Sequence, residues 1–134
     1  MTPFQLKIVT PDGIAFDGMA ESLSVRSTSG DLGILAGHTN LVAPLGMGRA
    51  TIVMDGQRRY AACIGGMVSV MNGKVTLVPT TFEWAEDIDT TRAEKSYQRA
   101  QAALNRKDAS RTDLALAEAK LKRALVRKNV SETK

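Results

Sequence analysis

Met67-Val68-Ser69-Val70-Met71-Asn72-Gly73-Lys74-Val75-Thr76-Leu77-Val78 reads as a β-hairpin, and the rest of the chain can be read outward from it. Its two arms are rich in apolar and β-branched residues, which suit a pleated, half-buried surface. Between them, Asn72-Gly73 supplies the positive φ angles that a two-residue turn demands. Upstream the pattern recurs. Ala50-Thr51-Ile52-Val53-Met54, then Asp55-Gly56, then Arg58-Arg59-Tyr60-Ala61 forms a second hairpin signal. Ser22-Leu23-Ser24-Val25-Arg26 alternates with period two, and Phe4-Gln5-Leu6-Lys7-Ile8-Val9 is a strand followed by a Pro11-Asp12-Gly13 turn. Eight to ten short strands at this spacing predict an antiparallel β-sandwich or barrel.

Downstream of the hairpin the chain changes character near Trp84. After Asp87 it has no glycine and no proline, and Ala, Arg, Lys, Gln and Leu dominate. All five favour helix. Ala93, Tyr97, Ala100 and Leu104 recur at helical spacing, as do Leu114, Ala117, Leu121 and Ala124. Each set makes a narrow stripe of the kind that seals two helices together. Ser110-Arg111-Thr112-Asp113 predicts a capping box at the second helix, and the polar link Arg106 to Ala109 is short enough for an antiparallel hairpin. The predicted organisation is a β-sandwich over residues 1–85 and an α-helical hairpin over residues 86–134.

Charge divides at the same place. Residues 1–85 carry six basic and six acidic side chains, whereas residues 86–134 carry twelve and eight, so the whole net charge of +4 lies in the hairpin. Arg92 and Arg99 fall on the first helix, Arg123 and Arg127 on the second. An antiparallel hairpin brings the start of one helix beside the end of the other. Four guanidinium groups then converge, with Asp89 at the edge, either as part of the site or as a simple N-cap. Like charges so gathered repel until an anion neutralises them, and arginine's planar fork suits phosphate oxygens. Two readings stay open from the pattern: a hairpin held closed by a polyphosphate, or a plain helical cap on the sheet. The hairpin's alanine-rich seam buries little area, so it belongs to the low-stability end of the molecule.

Other chemistries find little support. The single histidine and single cysteine, His38 and Cys63, lie far apart in sequence and give no metal-ligand spacing. One cysteine precludes an internal disulfide, which fits a reducing compartment. There is no nucleophile elbow and no phosphate-loop lysine motif. Glu86-Asp87 sits where acidic residues favour a helix dipole. No apolar run reaches membrane-spanning length, and the N-terminal residues lack the pattern of a signal peptide, so a cytoplasmic protein is expected. A neutral sandwich with few aromatics does not suit nucleic acid.

Several of these segments also resemble one family. Gly30-Asp31-Leu32-Gly33-Ile34-Leu35-Ala36-Gly37-His38 resembles the loop signature of the epsilon subunit of bacterial F-type ATP synthases. Val9-Thr10-Pro11-Asp12-Gly13, Gly65-Gly66-Met67-Val68-Ser69-Val70 and Val75-Thr76-Leu77 continue the likeness. Ile88-Asp89-Thr90-Thr91-Arg92-Ala93 is similar to the pattern of the family's ATP-binding members. Ala36 stands where the family usually has proline.

The resemblance implies a ten-stranded β-sandwich, a two-helix hairpin, and a non-catalytic rotor subunit. Its implied partners are the gamma subunit, the membrane ring of c subunits and, when the helices extend, the alpha/beta catalytic head. It implies ATP as a regulatory ligand and no catalytic cofactor, with the magnesium requirement left open. The implied ATP-binding residues are Glu83, Ile88, Asp89, Arg92, Ala93, Arg99, Arg123 and Arg127. Asp31 and His38 would lie on the ring-facing loop. A basic stripe of Lys120, Lys122, Arg123, Arg127 and Lys128 would dock on the head and block ATP hydrolysis. The expected location is the cytoplasmic face of the bacterial membrane, as a peripheral protein. A stand-alone nucleotide-sensing module is the alternative.

Overall fold

The computed structural model describes residues 2–133. Eight strands come first: β1 Phe4–Thr10, β2 Gly13–Ala20, β3 Ser22–Ser27, β4 Gly30–Ile34, β5 Leu41–Pro44, β6 Met47–Met54, β7 Gln57–Met71 and β8 Lys74–Trp84. A 3-10 turn at Ala85–Asp87 leads to α1 Thr90–Leu104 and α2 Arg111–Ser131. The chain separates into two compact units, Met1–Trp84 and Ala85–Lys134.

The first unit is a β-sandwich with strand order β2-β1-β8-β7-β6-β3-β4, and β5 adds to β7. All pairings are antiparallel except β1 with β8. The count of eight lies within the eight to ten read from the sequence and below the ten that the resemblance implies, and one merger accounts for part of the difference. Arg58–Ala61 and Met67–Met71, which read as separate strands, are the two halves of β7. Its first half pairs with β6 and its second with β5, while β8 runs along both. The bend between the halves is Gly65-Gly66, with φ of 68° and 93°. A Cβ on Gly66 would collide with the Val78 carbonyl oxygen and Pro79 Cα, so only glycine lets β7 turn without being cut.

Leu6, Ile8, Leu23, Ile52, Val68 and Leu77 are fully buried in one continuous apolar core. Burying a side chain of this size contributes ~1.5–3 kcal/mol. The two tight turns form as their sequences require: Asp55 and Gly56 have φ of 50° and 72°, Asn72 and Gly73 have 52° and 83°. Cys63 faces the core, and burial pushes its thiol from 9.0 up to about 12. At the end of β8, the Arg59 guanidinium lies 3.6 Å above the Trp84 ring, and Phe82 meets that ring edge-on at 4.9 Å.

The second unit is the helical hairpin. Asp89 caps α1, its Oδ1 accepting the Arg92 amide at 3.1 Å. Ser110 and Asp113 form the capping box of α2, the Asp113 amide donating to Ser110 Oγ at 3.1 Å. Ala93, Ala100, Ala117 and Ala124 are buried along the seam, with Tyr97, Leu104, Leu114 and Leu121 half-buried beside them. The seam therefore follows the predicted stripes, and it is made of the smallest side chains that can form one.

Candidate functional site

Small residues at the seam let the helices approach while longer side chains stand up along both edges. The result is a groove of about 580 Å³ on one face of the hairpin. Ala100, Ala103, Ala117 and Ala124 line it, together with Ser96 and Leu116. Five basic side chains border it: Arg99 and Arg106 from the first half of the hairpin, Lys120, Arg123 and Arg127 from α2. Asp113 is its one carboxylate. This lining offers forked and point-like cationic donors to an anion.

Three of the four arginines expected to converge, Arg99, Arg123 and Arg127, border this groove. Arg92 does not line it. It lies two turns before Arg99, near the start of α1, and is exposed. Asp89 is engaged as the N-cap of α1. Ile88 and Ala93 are buried, at 3% and 5% exposure. Glu83 belongs to β8 in the sandwich unit, half-buried and opposite Ala62 of β7.

The five residues of the basic stripe fall into three environments. Lys120, Arg123 and Arg127 border the groove. Lys122 pairs with Glu118 at 3.4 Å, one turn back on α2. Lys128 reaches across to α1, with Nζ 3.3 Å from Glu94 and 4.9 Å from the Tyr97 ring centre. That cross-helix clasp was not anticipated from sequence. The signal was present: Glu94 and Tyr97 are one turn apart on α1, and an aromatic face with an adjacent carboxylate suits a lysine. The groove positions of Lys120 and Ser96 were likewise missed as ligand candidates.

In the sandwich, Asp31 lies on β4 and pairs with Arg26 at 3.4 Å, both exposed. His38 follows β4, its amide donating to the Leu35 carbonyl at 3.2 Å and its Nδ1 lying 2.8 Å from the Thr39 carbonyl oxygen. Asn40 accepts the Asn72 amide at 2.9 Å, tying this loop to the β7–β8 turn. Among the described residues no group of three or more His, Cys, Asp or Glu side chains is arranged to hold a metal. No helix among the described residues is long and apolar enough to cross a membrane.

Residues 3–85 match the family model described as the ATP synthase delta/epsilon chain β-sandwich domain, and residues 86–132 match its long α-helix domain. The chain belongs to the ATP synthase delta/epsilon family. Within that family it is 43% identical over 131 residues to the ATP synthase epsilon chain of Bacillus velezensis, covering 98% of each chain. It is 42% identical to that of Ruminococcus albus over the full length of both. Epsilon chains are non-catalytic subunits. The fold is also that of a chain in the Euglena gracilis mitochondrial ATP synthase, with a TM-score of 0.85 at 19% identity over all of this chain and 83% of that one. A Tetrahymena thermophila central-stalk chain gives 0.60 at 12%, covering 95% of both.

Proposed function

We propose that this chain is a regulatory subunit of the central stalk, whose sandwich joins the gamma subunit to the c ring and whose hairpin is an ATP-responsive brake on hydrolysis. The observation that carries the regulatory part is the groove bordered by Arg99, Arg123 and Arg127. Arg99 and Arg123, with Lys120 on the same concave face, raise the energy of the closed hairpin until a polyanion sits among them. A ligand that binds only the closed form stabilises it by RT ln(1 + [L]/Kd), which is ~2.7 kcal/mol at a hundredfold excess. That is comparable with what an alanine seam contributes, so ligand level decides the population. ATP is preferred to a simple anion in this reading because Ile88-Asp89-Thr90-Thr91-Arg92-Ala93 is similar to the pattern of the family's ATP-binding members. No step consumes ATP here.

Assembly rests on a separate feature of the sandwich. Val42, Met67, Met71 and Val78 are 60%, 43%, 51% and 46% exposed, and strand register puts them on one face of β5, β7 and β8. An apolar patch of this kind marks a protein interface. Asp31 and His38 occupy the glycine-rich β4 segment and loop assigned to the ring. Bound there, the subunit sits peripherally on the cytoplasmic face of the membrane. At low ATP the helices open, and Lys120, Lys122, Arg123, Arg127 and Lys128 engage acidic surface of the alpha/beta head.

The test is ATP hydrolysis by the reconstituted complex with three versions of the subunit: full-length, residues 1–87, and a chain with the five basic residues changed to alanine. Truncation and neutralisation should both relieve inhibition. Equal hydrolysis in all three contradicts the proposal. Calorimetry on the isolated chain tests the ligand: Arg99→Ala, Arg123→Ala or Arg127→Ala should each weaken ATP binding by ~1.5–3 kcal/mol, about ten- to a hundredfold.

A further inference from the structure

We infer that Lys120 is a terminal-phosphate ligand of the groove, and that it makes the hairpin discriminate nucleotides by the number of their phosphates. The inference rests on the ATP reading above and adds to it a residue that the reading leaves out. The groove has a direction. The Glu94–Lys128 pair fixes the antiparallel register at the end where α1 begins. Buried Ala93 and Ala124 lie near that end, and buried Ala100 and Ala117 lie two turns further along. Continuing this register places Arg127 across from Lys95, Arg123 across from Arg99, and Lys120 across from Ala102, one turn beyond Arg99. Further toward the connection between the helices the lining continues with Ala103, Leu116, Arg106 and Asp113.

Three of the implied ATP-binding residues, Ile88, Asp89 and Ala93, are all at the start of α1, and in the ATP reading they frame the nucleoside. A phosphate chain entering from that end runs past Arg127 and Arg123 and finishes between Arg99 and Lys120. Lys120 and Arg127 are seven residues apart, or about 10 Å along the helix, a span suited to a short phosphate chain rather than one phosphate. Past Lys120 the lining turns apolar at Leu116, and the next polar pair includes the carboxylate of Asp113, which disfavours further negative charge. The close-set cationic run is therefore interrupted after Lys120, with Arg106 lying beyond it near Asp113. A lysine there is a compact point charge with three donors, free to follow a terminal phosphate that a rigid fork would have to meet in one geometry. Neighbouring Lys122 is instead spent on Glu118 outside the groove.

The experiment is calorimetry on the full chain with ATP, ADP and inorganic tripolyphosphate, comparing wild type, Lys120→Gln and Lys120→Arg. Lys120 is exposed in mid-helix, so the glutamine variant keeps its fold, and far-ultraviolet circular dichroism checks that it does. Lys120→Gln should lower ATP affinity about tenfold and ADP affinity less than about threefold, and Lys120→Arg should restore most of the loss. Equal losses for ATP and ADP would reduce Lys120 to a source of background field and overturn the inference, as would no loss for either. Tripolyphosphate separates the two readings. If wild type takes up tripolyphosphate in a Lys120-dependent way but no nucleotide, the ATP reading fails and the groove assignment stands. If it binds neither, both fall.

Discussion

The sandwich and the hairpin are built from opposite materials. The sandwich buries Leu6, Ile8, Leu23, Ile52, Val68 and Leu77, is electrically neutral, and locks its longest strand at a glycine no other residue can replace. The hairpin buries four alanines, carries all the excess positive charge, and is clasped at one end by a half-exposed lysine. Large side chains contribute several times what a methyl group can, and like charges oppose closure. One chain thus joins a platform with a core of large side chains to a hairpin sealed by small ones, and under the proposed function the second is a lever that a modest ligand energy would move.

The largest effects should come from breaking the platform. Leu77→Ala leaves a cavity in the core and should cost ~2–5 kcal/mol. Gly66→Ala forces a Cβ into the Val78 carbonyl at φ 93° and belongs in the same range. Urea denaturation followed by Trp84 fluorescence, from the sandwich's single tryptophan, measures both. A loss below 1 kcal/mol for either would remove the contrast between the units.

Alkaline pH should weaken the platform through Cys63. The folded thiol keeps its proton up to about 12, whereas the unfolded thiol releases it near 9.0. The unfolded state therefore binds fewer protons between these values, and stability falls as pH rises through that window. Three pH units correspond to an upper limit of ~4 kcal/mol. Because lysines and tyrosines also titrate there, the quantity to measure is the difference from Cys63→Ala. The alanine variant should lose the extra slope above pH 9 and match wild type in slope below it.

Smaller effects belong to the lever. Ala117→Gly combines lost helix propensity with a looser seam and should cost the hairpin ~1 kcal/mol. It should leave the urea midpoint of the sandwich unchanged. Glu94→Gln removes a partly exposed ion pair and should cost ~0.5 kcal/mol or less. It keeps every basic residue, so it should raise inhibition of hydrolysis slightly. Lys128→Gln should loosen the hairpin equally without that rise, because it also removes a docking charge.

How much of this was legible in the sequence follows the same divide. Strong local signals survived intact: Asn72-Gly73 and Asp55-Gly56 as turns, Ser110 to Asp113 as a capping box, and both alanine stripes. Each depends on residues within a few positions of one another. One strand boundary was misread at Gly65-Gly66, because two glycines read as a break, whereas here they bend a strand that its neighbours hold continuous. The arginine convergence was visible because it needs only helical spacing and an antiparallel turn. Arg92 falls outside the groove, and Lys120 falls inside it, because which residues face a groove depends on the rotation of each helix about its axis. The Glu94–Lys128 clasp needs the register itself, which the loop length left open.

The most direct test of the account is native-state hydrogen exchange on the isolated chain with and without ATP. Without ATP, amides of 90–104 and 111–131 should exchange far faster than those of β1, β7 and β8. ATP at a hundredfold excess over its Kd should slow the helical amides by up to about a hundredfold and leave the sandwich unchanged. Helices that are already as protected as the sandwich, and that do not respond to ATP, would contradict the account.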